Sequence, residues 1–69
     1  MEIILDKEER ILILQKRLER TIDEMNRQYN YAETAAIMGN SNEETSFRHK
    51  YYTLFDEAEN IKKAIANEK

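Results

Sequence analysis

A single break divides this chain. Residues Met38-Gly39-Asn40-Ser41-Asn42-Glu43-Glu44 are the one stretch where a long helical pattern stops and another starts, and no proline interrupts either side. Gly39 is the only glycine, and glycine tolerates the left-handed backbone conformation that commonly closes a helix. The first helix is therefore expected to end at Met38. Ser41 can cap the free amides of a second helix, and Glu44, three residues on, completes a capping box. The pattern predicts a helix over 7–38, a turn over 39–41 and a helix over 42–67. A stop and a start this close make the two helices antiparallel neighbours. The expected fold class is all-α: one antiparallel two-helix hairpin covering residues 1–69.

Each predicted helix carries an apolar stripe. Asp6 precedes the first as an N-cap, with Glu8 and Glu9 where the helix dipole favours acids. From there Ile11, Leu14, Leu18, Ile22, Met25, Tyr29, Ala32 and Ala36 recur at steps of three and four. Two consecutive steps of four around Leu18 make a stutter, which predicts a locally relaxed supercoil. In the second helix Phe47, Tyr51, Leu54, Ala58, Ile61 and Ile65 alternate strictly, a heptad seam widened by Tyr52 and Phe55. Folding about Asn40 sets residues whose numbers add to roughly 80 opposite one another. Ala32 and Ala36 then face Phe47 and Tyr51, and Leu14 faces Ile65. Glu44 with Arg48 and Glu59 with Lys63 add i,i+4 pairs, each contributing only a few tenths of a kcal/mol.

At 69 residues the chain is too short for a generous core, since domains of this size bury only around 60% of their unfolded surface. The expected register also leaves Met1 to Leu12 beyond the reach of the second helix. That overhang holds Ile3, Ile4, Leu5, Ile11 and Leu12. At about 25 cal/mol per Å2, exposing several such side chains forfeits several kcal/mol, comparable to the stability of a small domain. A second uncovered patch is expected where Tyr31, Ala35 and Met38 share a face of the first helix. Two-fold homodimers are the commonest assembly that would cover such surface. The expectation is a homodimeric four-helix bundle, self-associating through Ile4, Leu5, Ile11, Leu12 and Leu14.

Composition excludes more than it assigns. The chain has no cysteine, hence no disulfide or thiolate zinc site, and the cytoplasm is the expected location. The longest apolar runs, Ile3 to Leu5 and Ile11 to Leu14, are too short to span a bilayer, so a soluble protein without membrane association is expected. A net charge of −3, from 14 acids against 11 bases, lacks the sign bias usual in nucleic-acid binders. His49 is the only histidine and sits in no metal-ligand spacing, and a single glycine cannot build a phosphate loop. Glu19, Asp23, Glu24, Asp56, Glu57 and Glu59 alternate with bases away from the apolar seams, as a solvated exterior does. No enzyme activity, cofactor or metal is expected.

The expected function is that of a small protein–protein interaction or regulatory protein working through a dimeric helical bundle. Tyr31, Met38 and Tyr52, with the flank of Arg17, Arg20 and Arg27, would be offered to another protein. Arg10, Lys16, Arg17, Arg20 and Arg27 are the densest basic set. A small dimeric bundle with a basic helix flank resembles the plasmid RNA-binding regulator Rop in size and architecture. That resemblance implies an alternative function, nucleic-acid binding by the basic flank of the first helix. Leu18 to Asn26 also resembles the first helix of the all-helical chorismate mutases, though the chain has no room for their third helix. Tyr52-Thr53-Leu54-Phe55-Asp56 is similar to the Tyr-x-x-x-Asp pattern of small type VII secretion substrates, whose Trp-x-Gly turn is here Met38-Gly39-Asn40.

Overall fold

A computed structural model describes residues 6–69, which form two helices, α1 (Lys7–Ile37) and α2 (Ser41–Glu68). Asp6 caps α1, its side chain accepting the Glu9 amide at 2.8 Å, and Glu8 and Glu9 occupy the first turn. At the other end Gly39 adopts φ 75°. Its amide donates to the Ala36 carbonyl at 3.1 Å, and the Asn40 amide donates to the Ala35 carbonyl at 2.8 Å. These are the paired bonds of a Schellman motif, which satisfies carbonyls the helix would otherwise leave free. A Cβ at Gly39 would meet nothing within 4 Å, so the need for glycine there is conformational rather than steric.

Asn40 does double duty. Having closed α1, it opens α2: its carbonyl accepts the Glu44 amide at 3.0 Å and its side chain accepts the Glu43 amide at 3.3 Å. The N-cap is therefore Asn40 and not Ser41, which is already the first residue of α2. The expected capping box does not form, because the Glu44 amide is already bonded to the Asn40 carbonyl within the helix, and its carboxylate accepts from Arg48 at 2.8 Å. Asn40 serves both roles because it closes α1 with its backbone amide as donor, which leaves its side-chain oxygen free to accept at the start of α2.

The helices run antiparallel in a rod of 54 × 21 × 16 Å. Four contacts set the register: Arg10 to Glu68 at 3.0 Å, the Tyr29 and Tyr51 rings at 6.1 Å, the Tyr31 and Phe47 rings at 5.4 Å, and Glu33 to Arg48 at 3.3 Å. All centre on the Gly39–Asn40 link. Because α2 begins one residue earlier than expected and continues to Glu68, it reaches back to Arg10. The overhang expected for Met1 to Leu12 shrinks, within the described residues, to Asp6 through Glu9. Ile4 and Leu5 lie outside the described residues. The acid–base pairs differ in one place, since Glu59 pairs with Lys62 at 3.1 Å and not with Lys63.

The inner face of α1 differs from the expected stripe. Thr21, Gln28, Ala32 and Ala35 are buried and Ile11, Leu14, Leu18 and Met25 are partly buried, whereas Ile22, Tyr29 and Ala36 are exposed. The buried positions follow an uninterrupted heptad from Ile11 to Ala35, so the expected stutter is absent. The seam of α2 is itself a strict heptad from Glu44 through Phe47, Tyr51, Leu54, Ala58, Ile61 and Ile65 to Glu68, each buried or partly buried. Only an equally strict seam on α1 stays in phase with it along the rod. Thr21 then stands at the level of Ala58, small against small, and its hydroxyl is satisfied within its own helix by the Arg17 carbonyl at 2.9 Å. Gln28 donates to Glu24 at 2.9 Å, but its buried Oε1 has no partner among the described residues.

Candidate functional site

Phase decides what is left outside. In an antiparallel pair of helices the residues just after each inner seam position lie along one flank, and those just before lie along the other. The ring and ion contacts agree with this division. Tyr29 reaches Tyr51 and Glu33 reaches Arg48 on the first flank, while Tyr31 reaches Phe47 and Arg10 reaches Glu68 on the second.

The first flank is aromatic. It carries Leu12, Ile22 and Tyr29 from α1 and Tyr52 and Phe55 from α2, with exposures between 40% and 63%. Tyr29, Tyr51 and Tyr52 form a continuous chain of rings, the last two edge-on at 5.6 Å. Ile22 is the midpoint of α1, and Phe55 lies at the middle of α2, so the apolar surface is centred on the rod. Around it the charges divide by helix. Glu8, Glu19 and Glu33 come from α1, and Arg48, Lys62 and Lys69 come from α2, with Glu59 the one acid that α2 adds. The Arg48 guanidinium is held above its ordinary range, chiefly by its hydrogen bond to the Glu44 carboxylate, with Glu33 adding to the effect. It therefore stays charged at any physiological pH.

The second flank is basic and polar. Arg10, Arg17, Arg20 and Arg27 lie along α1, while α2 contributes Lys50, Thr53, Glu57, Asn60 and Asn67. Arg27 pairs with Glu24 at 3.0 Å. Arg17 and Arg20 are exposed and make no ion pair among the described residues. At the open end an apolar groove of about 350 Å3 is lined by Arg10, Ile13, Leu14, Ala64 and Glu68.

The residues expected to associate are thus sorted differently from the sequence pattern. Of that set's described residues, Ile11 and Leu14 belong to the hairpin's own seam, partly covered by α2, and Leu12 faces outward on the aromatic flank. Tyr31, Met38, Tyr52, Arg17, Arg20 and Arg27 do not come together. Tyr52 lies on the aromatic flank and the other five lie on or beside the basic one. Ala35, expected to share an outward face with Tyr31 and Met38, is buried, and Tyr31 itself packs on Phe47. The residues missed were Ile22, Tyr29 and Phe55. The signal for them was present in the strict heptad that starts at Ile11, but following it requires placing Thr21 and Gln28 inside.

Among the described residues no group of three or more His, Cys, Asp or Glu side chains converges on a metal-sized site, and no helix is long and apolar enough to cross a membrane. No protein-family model matches this sequence, and no curated protein or solved structure is significantly similar to it.

Proposed function

We propose that this is a small non-enzymatic interaction protein that acts in the cytoplasm as a homodimeric four-helix bundle. One observation carries the reading: the hairpin covers too little of its own apolar surface. Among the described residues the buried apolar side chains are Ala32, Ala35, Ala58 and Ile61, three of them alanines, and no large side chain is fully enclosed. Leu12, Ile13, Ile22, Tyr29, Tyr31, Ile37, Met38, Tyr52 and Phe55 are meanwhile exposed. Ordering each backbone residue opposes folding by about 1–2 kcal/mol. A single seam rich in alanine, with Thr21 and Gln28 in it, offsets little of that. A second hairpin laid against the first converts exposed apolar surface into core and turns one seam into the interior of a bundle.

Sedimentation equilibrium at micromolar concentration, read beside circular dichroism, tests this. Twice the chain mass of 8.3 kDa with high helicity is the expected result. A helical species at the single-chain mass would overturn the reading.

The unpaired Arg17 and Arg20 favour a second reading, in which the basic flank binds nucleic-acid phosphates in the manner that the Rop resemblance implies. Binding to an RNA or DNA duplex at two salt concentrations decides it. Affinity that falls steeply with added salt supports phosphate contacts, and no salt-dependent binding counts against them.

A further inference from the structure

We infer that the surface a second copy covers is the aromatic flank, about a two-fold axis running along the rod, so that the two turns lie side by side and each α1 packs over the partner's α2. This rests on the dimeric reading above and specifies its geometry.

Area is the first support. At roughly 100 Å2 for each half-exposed side chain of this size, Leu12, Ile22, Tyr29, Tyr52 and Phe55 offer about 500 Å2 per chain. The polar residues between them bring the total toward the roughly 800 Å2 per partner of a standard interface. On the opposite flank the exposed apolar residues Ile13, Tyr31 and Met38 are set apart by Arg17, Arg20 and Arg27.

Charge selects the axis. Two arrangements bring this flank onto its copy. With the axis across the rod, α1 lies on α1 and α2 on α2, which sets the face holding Glu8, Glu19 and Glu33 against its own copy and the face holding Arg48, Lys62 and Lys69 against its own copy. With the axis along the rod, each residue of α1 meets the partner's α2 at the level it already has within the hairpin. Ile22 then meets Phe55 of the partner subunit and Tyr29 meets Tyr52 of the partner subunit. Glu8, Glu19 and Glu33 come level with the partner's Lys69, the partner's Lys62 and the partner's Arg48. Apart from Glu59, which pairs with Lys62 of its own helix, opposite charges face each other along the length, and the apolar residues meet at the centre. Like charges set opposite one another disfavour the alternative.

The chain has no cysteine, so one label can be placed cleanly. Asn42→Cys, in the exposed first turn of α2, takes a spin label for a distance measurement between chains. Packed helices lie about 10 Å apart, so adjacent turns put the labels within roughly 25 Å of each other. Turns at opposite ends would separate them by most of the 54 Å rod. A short distance supports the inference, and a long one in an intact dimer overturns it while leaving dimerisation standing. Phe55→Glu and Ile13→Glu then address the face. Association weakened about a hundredfold by the first and less than threefold by the second is the expected pattern. A dimer indifferent to Phe55→Glu overturns the choice of flank. A wild-type chain that sediments as a folded monomer removes the dimeric reading itself.

Discussion

The two flanks of this hairpin are built from the same two helices, yet one presents mostly rings and branched aliphatics and the other a row of arginines in which Ile13 and Tyr31 stand apart. On the aromatic flank the charges are sorted by helix, acids on α1 and bases on α2 with Glu59 the exception, around a centre at Ile22 and Phe55. On the other, Arg10, Arg17, Arg20 and Arg27 crowd α1 while α2 is largely uncharged. The contrast teaches that a two-helix unit has two faces to assign once its seam is closed. Apolar area concentrated on one face with complementary charges favours a closed, self-paired assembly. Area split evenly between the faces would favour open-ended association.

The largest effect is expected from removing what both flanks stand on. Among the described residues Ile61 is the one large aliphatic side chain buried between the helices. Ile61→Ala should lower stability by about 3 kcal/mol, read as a fall in the urea midpoint. A change under 1 kcal/mol would mean that the seam contributes less than its burial indicates.

The two flanks are separated most directly by placing one charge on each. Burying a carboxylate at Phe55→Glu should weaken the dimer by about 2–3 kcal/mol, in the range of an interface hot spot, while Ile13→Glu should be nearly neutral. Equal effects in sedimentation would erase the distinction between the faces.

Gln28→Leu sharpens the comparison from inside. Gln28 is 8% exposed and its Oε1 lacks a partner among the described residues. Replacing it with an apolar side chain of similar size should stabilise the fold by about 1 kcal/mol, which in a domain this small raises Tm by roughly 4–8 °C. A drop in Tm would show that the amide is satisfied in the assembled protein.

Smaller effects should follow the charges. Lys62→Glu is expected to weaken the dimer roughly fivefold, about 1 kcal/mol, and Glu19→Lys in the same chain to restore most of it. No recovery in the double variant would separate these two positions. Arg27→Gln, on the basic flank and paired with the partly buried Glu24 while Arg27 itself is exposed, should change stability by less than about 0.5 kcal/mol.

Much of the fold was legible because helix ends are local chemistry. Asp6, Gly39 and the polar residues after it satisfy or release backbone groups within a few residues of themselves, so their meaning does not depend on distant partners. The choice between Asn40 and Ser41 as cap was less legible, since either side chain can accept the amide and only the length of the Schellman closure decides. The seam of α1 was misjudged for a different reason. Hydrophobicity favours Ile22 and Tyr29 over Thr21 and Gln28, and a pattern scored on one helix follows the greasier residue. What overrules it is the uninterrupted heptad of α2, which holds α1 to the same period even where that buries a hydroxyl and an amide. The candidate surface inherited the error, because moving the seam by one residue exchanges the inner face for a flank.

The amino-acid order by itself determined that there are two helices, where they meet and that they run antiparallel, because each of these depends on groups only a few bonds or one helical turn apart. Which side of α1 faces inward, and therefore that Ile22, Tyr29, Tyr52 and Phe55 share one outer flank while the arginines occupy the other, was decided only when the two helices packed. Burial is a property of the pair: a side chain is inside when its neighbour on the other helix stands in phase with it, whatever its own affinity for water.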